Sequence, residues 1–163
     1  MPLILTPPVR PWRGFRGMDS WGSGNFGASR DGGSRRHDGL DCITVPGDAI
    51  VSPVRGTVVH IGIAYPGSTL GSVHIEGDVE WTGWRLEILY LLPDPGLGGR
   101  YVMAADRLGD AQDVTGYWRA KDPTHPGEMR NHIHMRIRVT EPRLIDPAHH
   151  MPDNLVVSGG LRT

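Results

Sequence analysis

The stretch from Asn131 to Val139 alternates without a break. Ile133, Met135, Ile137 and Val139 are apolar, while His132, His134, Arg136 and Arg138 are polar. Successive side chains of a β-strand point to opposite faces, so this period of two gathers all the polar groups on one face. A helix would scatter them around its axis. Other segments agree. Ala49-Ile50-Val51 and Val54 to Ile63 are rich in β-branched residues and are bounded by Pro46-Gly47 and Pro66-Gly67. Trp84 to Leu92 is a further strand, closed by Pro93-Asp94-Pro95-Gly96, and Tyr101 to Leu108 a shorter one. No helical period is sustained over about twelve residues. The 23 glycines and 14 prolines among 163 residues interrupt long helices and supply turns. The expected fold class is all-β and mostly antiparallel.

At roughly 100–200 residues per domain, the length corresponds to one domain. The formal net charge of −1 gives no overall basic field, which excludes nucleic acid as the expected partner. Charge is uneven, however. Arg10, Arg13, Arg16, Arg30, Arg35 and Arg36 face only Asp19 and Asp31 in the first 37 residues, which predicts an exposed basic arm or one contacting an anionic polymer. Cys42 is the only cysteine, so no intrachain disulfide forms. No apolar run approaches the roughly 20 residues of a membrane span. The start, Met-Pro-Leu-Ile-Leu-Thr-Pro-Pro, lacks the basic region and long apolar region of a signal peptide, so synthesis in a cytoplasm is expected.

The chemistry resides in the histidines, eight in all. His37 and Asp41 form His-x-x-x-Asp, and His132 and His134 form His-x-His on the alternating strand. Residues i and i+2 of a strand stand about 6–7 Å apart on one face, so one imidazole can bind a metal while its neighbour reaches a water there. Imidazole and carboxylate donors suit Zn²⁺, and three protein ligands leave a fourth position open, as catalytic sites require. Neither piece is specific alone. His-x-x-x-Asp arises by chance, and His-x-His on a strand is commonly a solvated polar face.

Together, and in this order, the segments resemble the lysostaphin/LytM-like zinc metallopeptidases, the peptidoglycan endopeptidases numbered family twenty-three among metallopeptidases. Arg36-His37-Asp38-Gly39-Leu40-Asp41 matches the family's His-x-Gly-x-Asp segment. Gly47 to Val58 matches its Gly-x-x-Val/Ile-x-Ala/Ser-Pro-x-x-Gly-x-Val run, His132-Ile133-His134 its His-x-His strand, and Asp146-Pro147 a turn that often follows. The resemblance implies a small antiparallel β domain of two sheets forming a groove, of the duplicated hybrid motif or barrel-sandwich hybrid type. That domain would span 35–150, between an irregular arm at 1–34 and a tail at 151–163. It implies His37, Asp41 and His134 as zinc ligands, His132 as general base, and peptidoglycan peptide cross-links as substrate. A bare catalytic domain with a basic arm and no signal peptide fits a phage lysin or virion-associated wall-degrading protein, with phage structural proteins as partners, and equally a fragment of a bacterial enzyme.

One departure matters. Many members have Tyr-x-His on a middle strand, and here Tyr90-Leu91-Leu92 puts Leu92 where a second catalytic imidazole is expected. His125, in the loop before the last strand, is the substitute expected from sequence. Two rivals follow: a catalytically weakened member serving as a structural or wall-binding module, and a Cys–His peptidase using Cys42.

Overall fold

The computed structural model describes residues 3–139 and 143–152. The alternating segment forms the strand His132–Val139. It is paired on one side with Trp84–Leu89, and on the other with Leu40–Ile43 and Leu144–Ile145. Gly71–Gly77, Gly56–Ile63 and Tyr101–Val102 extend the same sheet outward from Trp84–Leu89, making seven strands. A second sheet of four strands has the order Val9–Arg10, Ala49–Val51, Arg107–Ala111, Leu91–Pro93. Two short hairpins, Met18–Asp19 with Gly22–Ser23 and Ser29–Arg30 with Arg35–Arg36, lie between Val9–Arg10 and Leu40–Ile43 in the chain. All pairings are antiparallel and no barrel closes, as the all-β reading expects. Among the described residues one α-helix forms, Val114–Lys121, with the Asp113 carboxylate accepting from the Gly116 N–H at 2.7 Å. It is too short to impose a readable period.

Burial explains why two sheets form. Val73, Ile75, Leu86, Ile88, Ile133, Met135 and Ile137 come from the large sheet. They share one buried cluster with Val9, Ile50, Leu91 and Leu108 of the small one. Each such side chain contributes roughly 1.5–3 kcal/mol when removed from water. The apolar face of His132–Val139 is thereby committed to the shared core. Its polar face becomes the floor of a cleft.

Two segments differ from the sequence reading. The Trp84–Leu92 strand is cut at Tyr90, which takes a left-handed backbone conformation (φ 76°). There the chain leaves the large sheet and enters the small one. The crossing is tight: a Cβ on Gly71 would lie 2.2 Å from the Leu91 carbonyl oxygen. Tyr101–Leu108 likewise divides, its two ends joining different sheets.

The basic arm is partly built into the fold. Leu5, Val9 and Phe15 lie in the core, Val9 pairs with Ile50, and Phe15 bridges to Cys42. Arg16 is 3% exposed. Its guanidinium binds Asp19 at 2.7 Å and Asp41 at 2.9 Å. Arg13 pairs with Asp48, while Arg10, Arg35 and Arg36 are exposed. Local charge counting leaves out Asp48 and Asp41, which lie beyond the counted stretch and pair with Arg13 and Arg16. Of the expected tail, Met151 is buried in the core, and residues 153–163 lie outside the described residues. Among the described residues no helix is long and apolar enough to cross a membrane.

Candidate metal centre

The two histidine motifs meet through strand register. Leu40–Ile43 pairs with His132–Val139 so that Asp41 stands directly opposite His134. His37 precedes that strand and follows the hairpin strand Arg35–Arg36. Gly39 permits the approach, since a Cβ there would lie 2.4 Å from the Met135 carbonyl oxygen and 2.6 Å from His134 Nε2. The spacing His-x-Gly-x-Asp is thus a packing requirement as well as a chemical one.

The donor atoms of His37, Asp41 and His134 lie within 4.8 Å of one another, and all three residues are buried. His37 Nε2 is 3.0 Å from His134 Nδ1 and 3.3 Å from Asp41 Oδ1, and His134 Nδ1 is 2.9 Å from Asp41 Oδ1. The opposite atom of each residue is already engaged. His37 Nδ1 is 2.9 Å from the Asn25 carbonyl oxygen, Asp41 Oδ2 accepts from Arg16 at 2.9 Å, and His134 Nε2 is 3.1 Å from Asp38 Oδ1. The outward contacts leave two imidazole nitrogens and one carboxylate oxygen converging on one point. That donor set fits Zn²⁺, and His37, Asp41 and His134 would be the residues to hold it beside the cleft. The cleft has a volume of about 560 Å³, and its walls include Trp21, Arg30, Tyr65, Tyr90 and Trp118.

Burial by itself opposes ionisation of Asp41. The neighbouring His132, His134 and His37 outweigh it and hold its carboxyl well below the usual range. For His134, burial favours the neutral ring, but hydrogen bonds to Asp38 and Asp41 prevail and its pKa lies above the ordinary value. His132 goes the other way, its pKa lowered chiefly by burial. The His132 Nδ1 lies 2.7 Å from the Arg130 carbonyl oxygen, to which it donates as the neutral tautomer. Its Nε2 then carries the lone pair, 3.5 Å from Asp41 Oδ2.

The position at which the family resemblance expects an imidazole does not face this cluster. Leu92 is 61% exposed and pairs with Asp110 on the small sheet. The left-handed turn at Tyr90 delivers that residue to the cleft instead. The Tyr90 ring packs edge-on against His132, centroids 5.6 Å apart, and its hydroxyl hydrogen-bonds that of Tyr65. Burial, reinforced by Tyr65, raises the Tyr90 pKa well above its ordinary value, so the phenol stays protonated. His125 stacks on Trp21 at 3.8 Å between centroids and is not among the cleft-lining residues. Trp118 lines the cleft, whereas Trp81 is buried in the core. His60 and His74 pair with each other across two strands, outside the cluster.

Cys42 alternates with Asp41 along its strand, so its thiol enters the core. Burial, reinforced by the Asp41 charge, raises its pKa far above the ordinary range. Thiolates, not thiols, are the nucleophiles. Native protein should therefore resist iodoacetamide, taking up label only in denaturant, as intact-mass measurement would read. Rapid native labelling would revive a cysteine mechanism.

No family model matches the chain, and no curated protein matches it. Solved structures do. Csd3 of Helicobacter pylori superposes with a TM-score of 0.64 at 19% identity, over 98% of this chain and 38% of its own. A zinc containing peptidase from Vibrio cholerae gives 0.60 at 18%, over 96% and 41%. The catalytic domain of the antimicrobial peptidase lysostaphin from Staphylococcus simulans gives 0.55 at 19%, over 77% and 86%. The chain thus spans about two fifths of the first two proteins and most of the third. The shared property is the fold.

Proposed function

From the fold of the lysostaphin/LytM-like peptidases, which this chain has, we propose a zinc-dependent endopeptidase that hydrolyses peptide cross-links of bacterial peptidoglycan. His37, Asp41 and His134 hold the metal, and His132 moves the proton. One observation carries the reading: three buried donors converge through one atom each, while the other atom of each is held by a separate outer partner. A chance cluster of polar side chains has no reason to be held from outside in that way.

When bound, zinc polarises the scissile carbonyl and makes water a competent nucleophile near neutral pH. The protein's own groups do the rest. His132, kept neutral by burial and oriented through Nδ1, accepts the proton of the attacking water at Nε2. As the carbon–nitrogen bond breaks, it returns that proton to the departing amine. Tyr90, a protonated phenol beside His132, supplies a hydrogen bond to the negative charge that develops on the carbonyl oxygen. It takes the place of the missing imidazole.

The test uses purified protein, one equivalent of zinc and purified peptidoglycan. New amino termini should appear and a chelator should stop their release. Failure to release any from walls of several chemotypes, with zinc bound, would favour a wall-binding module. Metal uptake should also depend on pH in a definite direction. The His134 proton, held above the ordinary pKa of 6.5, competes with zinc for Nδ1, whereas Asp41 is already ionised and adds no dependence. Apparent zinc affinity should rise between about pH 6 and 8. Chelator-competition titrations giving a flat profile would contradict this.

A further inference from the structure

Asp38 occupies the unspecified position of His-x-Gly-x-Asp, and nothing in the motif gives it a task. Its surroundings do. One carboxylate oxygen lies 3.1 Å from His134 Nε2, and the other accepts from Arg136 at 2.6 Å. Arg136 stands two residues beyond His134 on the same strand face, directly opposite Glu87 of the neighbouring strand. The Glu87 carboxylate, 5% exposed, accepts from Arg136 Nε at 2.6 Å and from Arg138 Nε at 3.2 Å. His134, Asp38, Arg136 and Glu87 therefore form an unbroken polar chain along the cleft floor. It begins at the metal centre and ends on a buried carboxylate.

We propose that Asp38 is the positioning residue for the metal centre: with Arg136 and Glu87 behind it, it fixes His134 in the one tautomer and orientation that present Nδ1 to zinc. This rests on the reading of His134 as a zinc ligand. A neutral imidazole carries its proton on one nitrogen only, and an acceptor at Nε2 assigns it there, leaving the Nδ1 lone pair for the metal. A carboxylate does this better than a carbonyl because its charge also strengthens the ring as a donor. The two histidine ligands differ in this respect, since His37 leans on the neutral Asn25 carbonyl. Arg136 completes the device. Without a cation on its second oxygen, Asp38 could rotate away toward solvent, being only half-buried.

Zinc dissociation constants from chelator competition at fixed pH, and absorption spectra of the Co²⁺-loaded proteins, test the proposal. Wild type, Asp38→Ala, Asp38→Asn and His134→Ala would be compared. Asp38→Ala should bind zinc about 10–100-fold more weakly and alter the Co²⁺ ligand-field bands. Asp38→Asn should fall between it and wild type, because its amide oxygen still accepts a hydrogen bond but lacks the charge. The metal-free melting temperature of Asp38→Asn should match that of wild type, separating positioning from folding. Wild-type affinity and spectrum in both Asp38 variants, with His134→Ala unable to bind, would overturn the proposal and leave the metal reading intact. Absence of zinc binding by wild type would overturn both.

Discussion

Substituting alanine for His132 should lower kcat by about 10²–10⁴-fold while the protein still takes up one zinc. The two histidines of His-x-His are chemically identical and share a strand face, so their environments must distinguish them. His134 turns Nδ1 into the cluster, 2.9 Å from Asp41 Oδ1, and gives Nε2 to Asp38. His132 gives Nδ1 to the Arg130 carbonyl, and its Nε2 lies 3.5 Å from the Asp41 oxygen that Arg16 already engages. Burial keeps it neutral, the state a base requires. Elemental analysis and turnover on peptidoglycan, measured on the same preparation, check the assignment. A variant that lost its zinc would mean that His132 is the ligand and His134 the base.

The parts of this site readable from sequence were those that depend on short-range geometry. Alternation put His132 and His134 on one face, and the spacing of His37 and Asp41 marked a compact donor pair. What brought the two pairs together was register between Leu40–Ile43 and a strand some ninety residues later, for which the pattern offered only the family likeness. The outer partners were illegible for the same reason. Arg16 looked like part of a solvated basic arm, and only the tertiary fold sets it against Asp41. Asp38 was in view as a motif letter, but its contact with His134 exists only after the strands pair. At Tyr90 the failure was of a different kind. A left-handed tyrosine carries no sequence signal comparable to glycine, so the pattern runs straight through Tyr90 and puts Leu92 at the site.

That turn leads to the second large effect. Tyr90→Phe should reduce turnover by about 10²–10³-fold, the loss typical of removing one donor to a developing oxyanion. Phenylalanine keeps the ring that packs against His132 and Leu89, so zinc content and melting temperature should change little. Tyr65→Phe should cost less, since Tyr65 only orients the Tyr90 hydroxyl through their shared hydrogen bond. Two controls separate this from the expectation drawn from sequence. His125→Ala should cleave at the wild-type rate, because that ring is stacked on Trp21 and does not line the cleft. Leu92→His should not raise the rate either, because position 92 faces solvent on the other sheet. If Tyr90→Phe is as active as wild type while His125→Ala is slow, the loop histidine must swing in when substrate binds and the phenol is only packing. The left-handed backbone at Tyr90 argues for the opposite outcome. A bulky residue held at φ 76° carries strain that a simple crossing between sheets could have avoided with glycine, and such strain collects where a side chain must point in one direction.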